Sequence, residues 1–306
     1  MPDFLTLTVN PAIDLGCTVP VLEPTHKLRV PGHVFDPGGG GVNVARVLHA
    51  LGAAVEALVL LGGDEGVMFG HLLDRDAVPW RVVPIAGATR ISINLREAQT
   101  GREYRIVPAG PPIAPAEWQA ALAALRIATP RWVVASGSLA PGLPVEAYRE
   151  VAAVAREIGA RSALDTSGAA LTAVRGAGFD VLKLSLRELR HLSGLAAESR
   201  AAQNDAALSL VADGTARCIA VTLGAEGALL ADQSGIVRRD AFPVRVQSTV
   251  GAGDSFLAGL VQALAEGAEP GAALHWASAV SAAAVAAEGT ARVTREAAAI
   301  LAAANP

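Results

Sequence analysis

Along this chain the apolar positions switch repeatedly between the spacing of a strand and that of a helix. Phe4–Val9 is a short β-rich run that ends in Asn10-Pro11, with Asp14 following in a predicted loop. Residues 15–35 alternate irregularly around Pro20, Pro24 and Pro31, as edge strands and turns do. Four glycines at 38–41 then lead into Val44, Val47, Leu48 and Leu51 at helical spacing, with Gly52 as the stop. Val55–Leu61 reads as a buried strand closing on Gly62-Gly63-Asp64. Over 90–108 the period returns to two. Ile91, Ile93 and Leu95 share one face, Arg90, Ser92 and Asn94 the other, with a turn near Thr100-Gly101 and Arg105 on the return strand.

From 115 onward helices and strands alternate. Ala116–Leu125 and Val145–Ile158 are predicted helices, and Trp132–Ala135, the run ending at Asp165, Val181–Leu184, Cys218–Thr222 and Ala228–Ala231 are predicted strands. Glu188 lies on the helix after 184, and Ala-rich helices close the chain. Such alternation implies right-handed βαβ units and a mostly parallel sheet, an α/β fold with helices on its faces. Ligands of such sheets sit beyond the carboxyl ends of the strands. That edge should gather Asn10, Gly62, Ser138, Lys183, Glu188, Thr222 and the loop at 251–254.

The stretch STVGAGDSF, Ser248 to Phe256, stands out at this edge. Gly251, Ala252 and Gly253 permit a tight turn, and Leu257, Leu260, Val261 and Leu264 then follow at helical spacing. The N–H groups of a helix start suit a phosphate. Asp254 places a carboxylate in that anion site, where a proton acceptor or a metal ligand has a reason to be. Phosphoryl transfer combines these parts: amides for the moving phosphoryl and Asp254 as base for an attacking hydroxyl. A plain glycine turn with Asp254 as helix cap is the other reading of this stretch alone. Gly39 and Gly40 would let a ligand approach the backbone, with Asn43 in reach to hydrogen-bond it. Lys27, Arg29, Arg90 and Arg105 lie on short extended pieces outside the main sheet, as a phosphate dianion or merely a solvated basic face would require.

Composition narrows the classes. The 306 residues are 52% hydrophobic, with 31 Gly and 18 Pro, which fits a folded protein able to bury a large core. Much of that apolar share is alanine, and no run reads as a membrane span. The chain enters on FLTLTV without a basic region and signal core. A net charge of −4 without blocks of like charge argues against nucleic-acid binding. Cys17 and Cys218 are far apart and six histidines are scattered, so neither type offers a metal-ligand spacing, and a reduced cytoplasmic setting is expected.

Taken together, LTVNPAIDL (7–15), FDPGGGGVNVARVL (35–48), SGSLAPGLP (136–144), DTSG (165–168), VTLGAEGALL (221–230) and STVGAGDSF (248–256) resemble the ribokinase-like carbohydrate kinases, the PfkB family. The resemblance spans nearly the whole chain. HKLRV at 26–30, the unbroken glycine run, Thr89-Arg90 and REYR at 102–105 are most similar to the minor type of bacterial 6-phosphofructokinase.

The resemblance implies one Rossmann-like kinase domain over 1–306 with a small β-sheet lid, at about 12–34 and 88–108, and a homodimer formed through that lid. It implies that Asp14, Gly39, Gly40 and Asn43 hold sugar hydroxyls, while Lys27, Arg29, Arg90 and Arg105, with Ser138, hold a 6-phosphate. Asp254 would take the proton of the C1 hydroxyl, the Gly251, Ala252 and Gly253 amides serving the phosphoryl. Lys183, Ser185, Thr222, Gly224 and Gly227 would serve ATP, and Glu188 Mg²⁺ through water. Ser248, Val250 and Gly289 fall where relatives bind a monovalent cation such as K⁺.

One departure accompanies the resemblance. The family's K-P-N-x-x-E is here Lys183-Leu184-Ser185-Leu186-Arg187-Glu188, so a shorter hydroxyl replaces a two-ended amide. Tagatose 6-phosphate and fructose 1-phosphate are the neighbouring substrates. The absence of lysine from residues 38–41 speaks against the second. A sugar-phosphate-binding regulator that has lost catalysis is the reading of another class.

Overall fold

The computed structural model describes residues 2–304. The chain opens with β1 (Phe4–Thr8), β2 (Ala12–Val19), β3 (His33–Gly38), α1 (Gly40–Ala50), β4 (Val55–Leu61), α2 (Gly63–Arg75) and β5 (Trp80–Pro84). Next come β6 (Arg90–Glu97), β7 (Glu103–Ile106), α3 (Pro115–Ala128), β8 (Trp132–Ser136), α4 (Ala147–Glu157), β9 (Arg161–Asp165) and α5 (Gly168–Ala173). It continues through β10 (Phe179–Ser185), α6 (Leu186–Ser193), α7 (Arg200–Ala212), β11 (Ala216–Thr222), β12 (Ala228–Asp232) and β13 (Gly235–Arg239). Three helices close it: α8 (Ala252–Ala265), α9 (Pro270–Val285) and α10 (Arg295–Ala304).

Nine strands form the main sheet in the order β13-β12-β11-β10-β9-β8-β1-β4-β5. The strands from β11 to β5 run parallel, and β12 and β13 are antiparallel additions at one edge. Chain order reverses at β1, which pairs with β4 on one side and β8 on the other, so a crevice opens beyond the ends of β1 and β8.

Alternation along β1 divides the core. Leu5 and Leu7 pack with Trp118, Leu122, Tyr148, Val151 and Leu189 beneath one face. Phe4 joins Val44, Leu48, Phe69, Phe256, Leu260 and Leu274 beneath the other. The pattern omitted α2, β5, α5, α7 and β13. In α2 only part of one face is apolar, β5 is a half-exposed edge strand, and β13 is partly exposed throughout.

Strands β3-β2-β6-β7 form a separate mixed sheet, with β2 and β6 parallel. Asp14 is therefore not in a loop as the sequence suggested. It lies within β2, opposite Asp36 of β3 and Ser92 of β6. Pro11 sits just before this strand, so the chain re-enters extended structure sooner than the polar Asp implied.

Candidate active site

The glycine run owes most of its identity to crowding. Only Gly39, with φ of 122°, needs glycine for its backbone conformation. A Cβ at Gly38 would strike the Asp14 carboxylate, one at Gly40 the Ser136 hydroxyl, and one at Gly41 the Leu7 carbonyl. The run thus presses the start of α1 onto the ends of β1, β2 and β8. Gly251 is the other special turn. Its φ of 78° aims the chain into α8, whose amides at Gly253 and Asp254 lack partners one turn back, while that of Ala252 donates to the Thr249 carbonyl at 3.3 Å.

Asp254 is gripped at both oxygens. Asn43 Nδ2 donates to Oδ2 at 3.0 Å, and Ser136 Oγ donates to Oδ1 at 2.9 Å. Burial pushes its pKa up to about 6, with the Asp165 charge adding to the rise and the two hydrogen bonds and Lys183 opposing it. A carboxylate with that pKa is ionised at neutral pH yet basic enough to accept a proton. Burial likewise lifts Asp14 to about 6 against the pull of Arg105 and Arg90.

Two cavities meet at this turn. One, of about 390 Å³, is polar and is lined by Asp14, Gly39, Gly40, Asn43, Arg90, Arg105, Ser138, Glu188, Val250, Gly251 and Asp254, among others. The second, of about 560 Å³, is largely apolar and includes Thr222, Gly224, Gly227, Phe242, Val246, Ala252 and Gly253. Thr249 borders both, and the start of α8 separates them. The arrangement places an acceptor and a donor on either side of one set of helix-end amides.

Other expected residues are placed differently. Lys27 and Arg29 do not line the cavity. They are exposed in the irregular stretch between β2 and β3, which Pro20, Pro24 and Pro31 keep out of a strand. Gly62 donates its N–H to the Thr89 hydroxyl at 3.2 Å and lies outside both cavities. Arg90 is largely committed to backbone: its guanidinium donates to the carbonyls of Asn10 at 2.8 Å, Pro108 at 2.6 Å and Pro11 at 3.4 Å. Arg105 is freer, donating through Nε to Asn94 Oδ1 at 3.2 Å.

Lys183 pairs with Asp165 at 2.9 Å beneath Gly253. Desolvation is the largest influence and would lower its pKa, but the Asp165 charge and hydrogen bond, with the charges of Asp254 and Glu188, together hold it above its usual value. Ser185 caps α6. It accepts the Glu188 N–H at 3.3 Å, and its N–H and Oγ both donate to the Glu188 carboxylate, at 2.7 and 2.8 Å. Among the described residues no three His, Cys, Asp or Glu side chains gather as a metal set. A magnesium ion carried on phosphates needs no such set, because it keeps waters and takes only one or two carboxylates, and Glu188, which lines the polar cavity, could serve one of those waters. Ser248 and Val250 lie on a loop that touches the segment after α9, Gln247 and Ser248 donating to the Val285 carbonyl and Ala291 to that of Val250. Gly289 is in that facing segment. Backbone carbonyls and a serine hydroxyl are the donors an alkali cation takes.

Sequence reasoning missed Ser136, Asp165, Ser92 and Thr8 in this site. The signal for Ser136 and Asp165 was their place at the ends of adjacent strands, but neighbouring Ser138 drew the assignment.

A mostly parallel sheet with a base at a helix-end anion site defines a phosphotransferase of the sugar-kinase type. The pfkB family carbohydrate kinase model matches residues 8–297, and the chain belongs to that family. It is 41% identical over 268 residues to ATP-dependent 6-phosphofructokinase isozyme 2 of Mycobacterium tuberculosis, covering 87% of this chain and 79% of the relative. To 1-phosphofructokinase of Rhodobacter capsulatus it is 35% identical over 265 residues, 84% and 82% of the two chains. Phosphofructokinase-2 from Escherichia coli superposes with a TM-score of 0.94 in its complex with potassium, at 31% identity and 99% coverage of both chains. The complex of that enzyme with fructose-6-phosphate gives 0.92 at 30% identity, covering 100% of this chain and 99% of that one.

Proposed function

We propose that this kinase transfers the γ-phosphoryl group of ATP to the C1 hydroxyl of fructose 6-phosphate, giving fructose 1,6-bisphosphate and ADP. The observation that carries this reading is Asp254, held by Asn43 and Ser136 at the helix start between a polar and an apolar cavity. Asp254 takes the hydroxyl proton as the alkoxide oxygen bonds to the γ-phosphorus and the bond to the ADP oxygen breaks. The amides of 251–253 hold the charge on the moving oxygens. Asp14 and Asn43 orient the sugar hydroxyls, and Arg105, Arg90 and Ser138 meet the 6-phosphate. Thr222, Gly224 and Gly227 seat the nucleotide, and Lys183 reaches its phosphates. Glu188 would hold Mg²⁺ through a water, and the ion would supply neutralising charge to the phosphates.

The mixed sheet serves as a lid over the acceptor. Its Val30, Val34, Ile91, Ile106 and Val107 are exposed, and we assign their cover to a second copy's lid, making a homodimer. The same reading places K⁺ at Ser248, Val250 and Gly289, and the chain, with its free Cys17 and Cys218, in the reducing cytoplasm.

The test is ADP release with Mg-ATP and K⁺ on fructose 6-phosphate, tagatose 6-phosphate, fructose 1-phosphate and fructose. The highest kcat/KM belongs to fructose 6-phosphate. A preference for either other phosphate moves the substrate and keeps the mechanism. Sugar-phosphate binding without ADP release from any of the four overturns the kinase reading in favour of a regulator.

A further inference from the structure

The turn that carries the anion-hole amides is braced by the segment between α9 and α10. A Cβ on Gly251 would lie 2.8 Å from Ala291 Cβ and 2.9 Å from its nitrogen, so the two backbones are in direct contact. Ala291 N–H also donates to the Val250 carbonyl at 3.3 Å. Ala291 is buried and holds a φ of 49°, a conformation that alanine adopts only when its surroundings impose it. Two arginines impose it. Arg46, buried in α1 and paired with Asp76 at 2.9 Å, donates to the Thr290 carbonyl at 3.3 Å. Arg292 donates to Asp36 Oδ1 at 2.8 Å.

Asp36 belongs to the small sheet. It stands opposite Asp14 in the β2–β3 register, two residues before Gly38, whose missing Cβ leaves space that the Asp14 carboxylate fills. A continuous line of contacts therefore runs from the acceptor cavity at Asp14 through Asp36, Arg292 and Ala291 to Gly251. Arg75 of α2 donates to the same Asp36 oxygen at 3.1 Å and also to the Phe35 carbonyl, so β3 is tied to α2 as well at this point.

We infer that Arg292 is a positioning residue that ties the acceptor-binding sheet to the phosphoryl-holding turn, so that seating of the acceptor sets the Gly251 amides for transfer. The inference rests on the kinase reading above. Both ends of the line are close-packed backbone, and the Arg292–Asp36 pair, its arginine 45% exposed, is the one side-chain link through which a shift of β3 reaches the turn.

The test is a double-mutant cycle of Arg292→Gln and Asp36→Asn, with Arg292→Lys as the conservative variant, assayed by ADP release at saturating ATP and sugar phosphate. Wild-type turnover comes first, since its absence strikes the kinase reading and not this one. With an active wild type, each single change lowers kcat roughly fivefold while KM for ATP stays within about twofold. The double variant is no slower than the slower single, and Arg292→Lys recovers most of the rate. Hydrolysis of ATP without sugar phosphate changes less than transfer does. Unchanged kcat in folded variants, whether or not Tm falls, overturns the inference, as do fully multiplicative losses in the double variant.

Discussion

The Ser136 hydroxyl, at the last residue of β8, donates to Oδ1 of Asp254 at 2.9 Å across 118 residues of sequence. Asn43, from α1, holds the other carboxylate oxygen. The base is thus fixed by two elements besides its own helix. Removing one donor leaves Asp254 ionisable but less well aimed, and misalignment of a reacting group is costly. In Ser136→Ala, kcat falls roughly tenfold with the KM for sugar phosphate little changed. Steady-state kinetics check this, and a rise in KM at constant kcat would make Ser136 a substrate ligand instead.

Asp254 also governs the pH response. With its pKa near 6 in the free enzyme, kcat/KM rises with pH through that value and then levels off. Stability moves the other way. The folded pKa is raised from 3.8, so the folded chain binds the proton more tightly than the unfolded one does. That contribution is fully present below pH 3.8 and is lost as pH rises through about 6, and Asp14 adds a parallel loss. Asp254→Asn should abolish turnover, by about 10³-fold or more, while leaving sugar-phosphate binding measurable by calorimetry. At pH 8 the variant should be more stable than the wild type by about 2 kcal/mol, a gain that shrinks toward pH 4. Full activity in the variant removes the general base. A stability gain that does not vary with pH removes the linkage.

Periodicity made most of the main sheet legible because its inner parallel strands are short, apolar and bounded by glycine or a polar turn, whereas half-exposed β5 and β13 at the two edges carried no such signal. The polar strand ends at 136–138 and 165–168 were visible too. What the sequence could not show was which of them meet. Ser136, Asn43 and Asp254 become neighbours only through the strand order, which puts β8 beside β1 and α1 beside α8. Arg90 shows the reverse case. Its position on a polar strand face was readable, but its capture by three carbonyls depends on loops at 10–11 and 108 that have no period. Asp14 was misread as a loop residue because its strand starts straight after a proline.

Ser185 proves to be a capping residue. Its hydroxyl takes the Glu188 amide, and its N–H and Oγ fasten the Glu188 carboxylate in return. Ser185→Ala loses the cap and the hydroxyl's hold on the Glu188 carboxylate, leaving only the backbone N–H bond, so stability drops by about 1 kcal/mol and the KM for Mg-ATP rises. Asparagine caps as well as serine does, so Ser185→Asn keeps stability, with activity equal or higher. Chemical denaturation and initial rates on both variants check this. A sharp loss in Ser185→Asn would show that the serine hydroxyl itself is required.

Gly253 is the second helical residue of α8, and its φ is not in the left-handed region, so alanine suits its backbone and is the better helix former. Space is the obstacle. An added methyl would stand 2.6 Å from Lys183 Nζ and 3.4 Å from its Cε, and the ammonium is held in place by Asp165 at 2.9 Å. The lysine end can yield, but only by leaving Asp165, whose buried carboxyl would then lack its counter-charge. Because the lysine moves and leaves a buried carboxyl unpaired, Gly253→Ala should lower Tm by roughly 5–10 °C while kcat falls tenfold or more, the latter on the order of the loss of one transition-state contact. Differential scanning calorimetry beside steady-state rates separates the two effects. If rate and Tm both hold, Lys183 is not poised against the anion-hole amides in turnover, and its role reduces to neutralising Asp165.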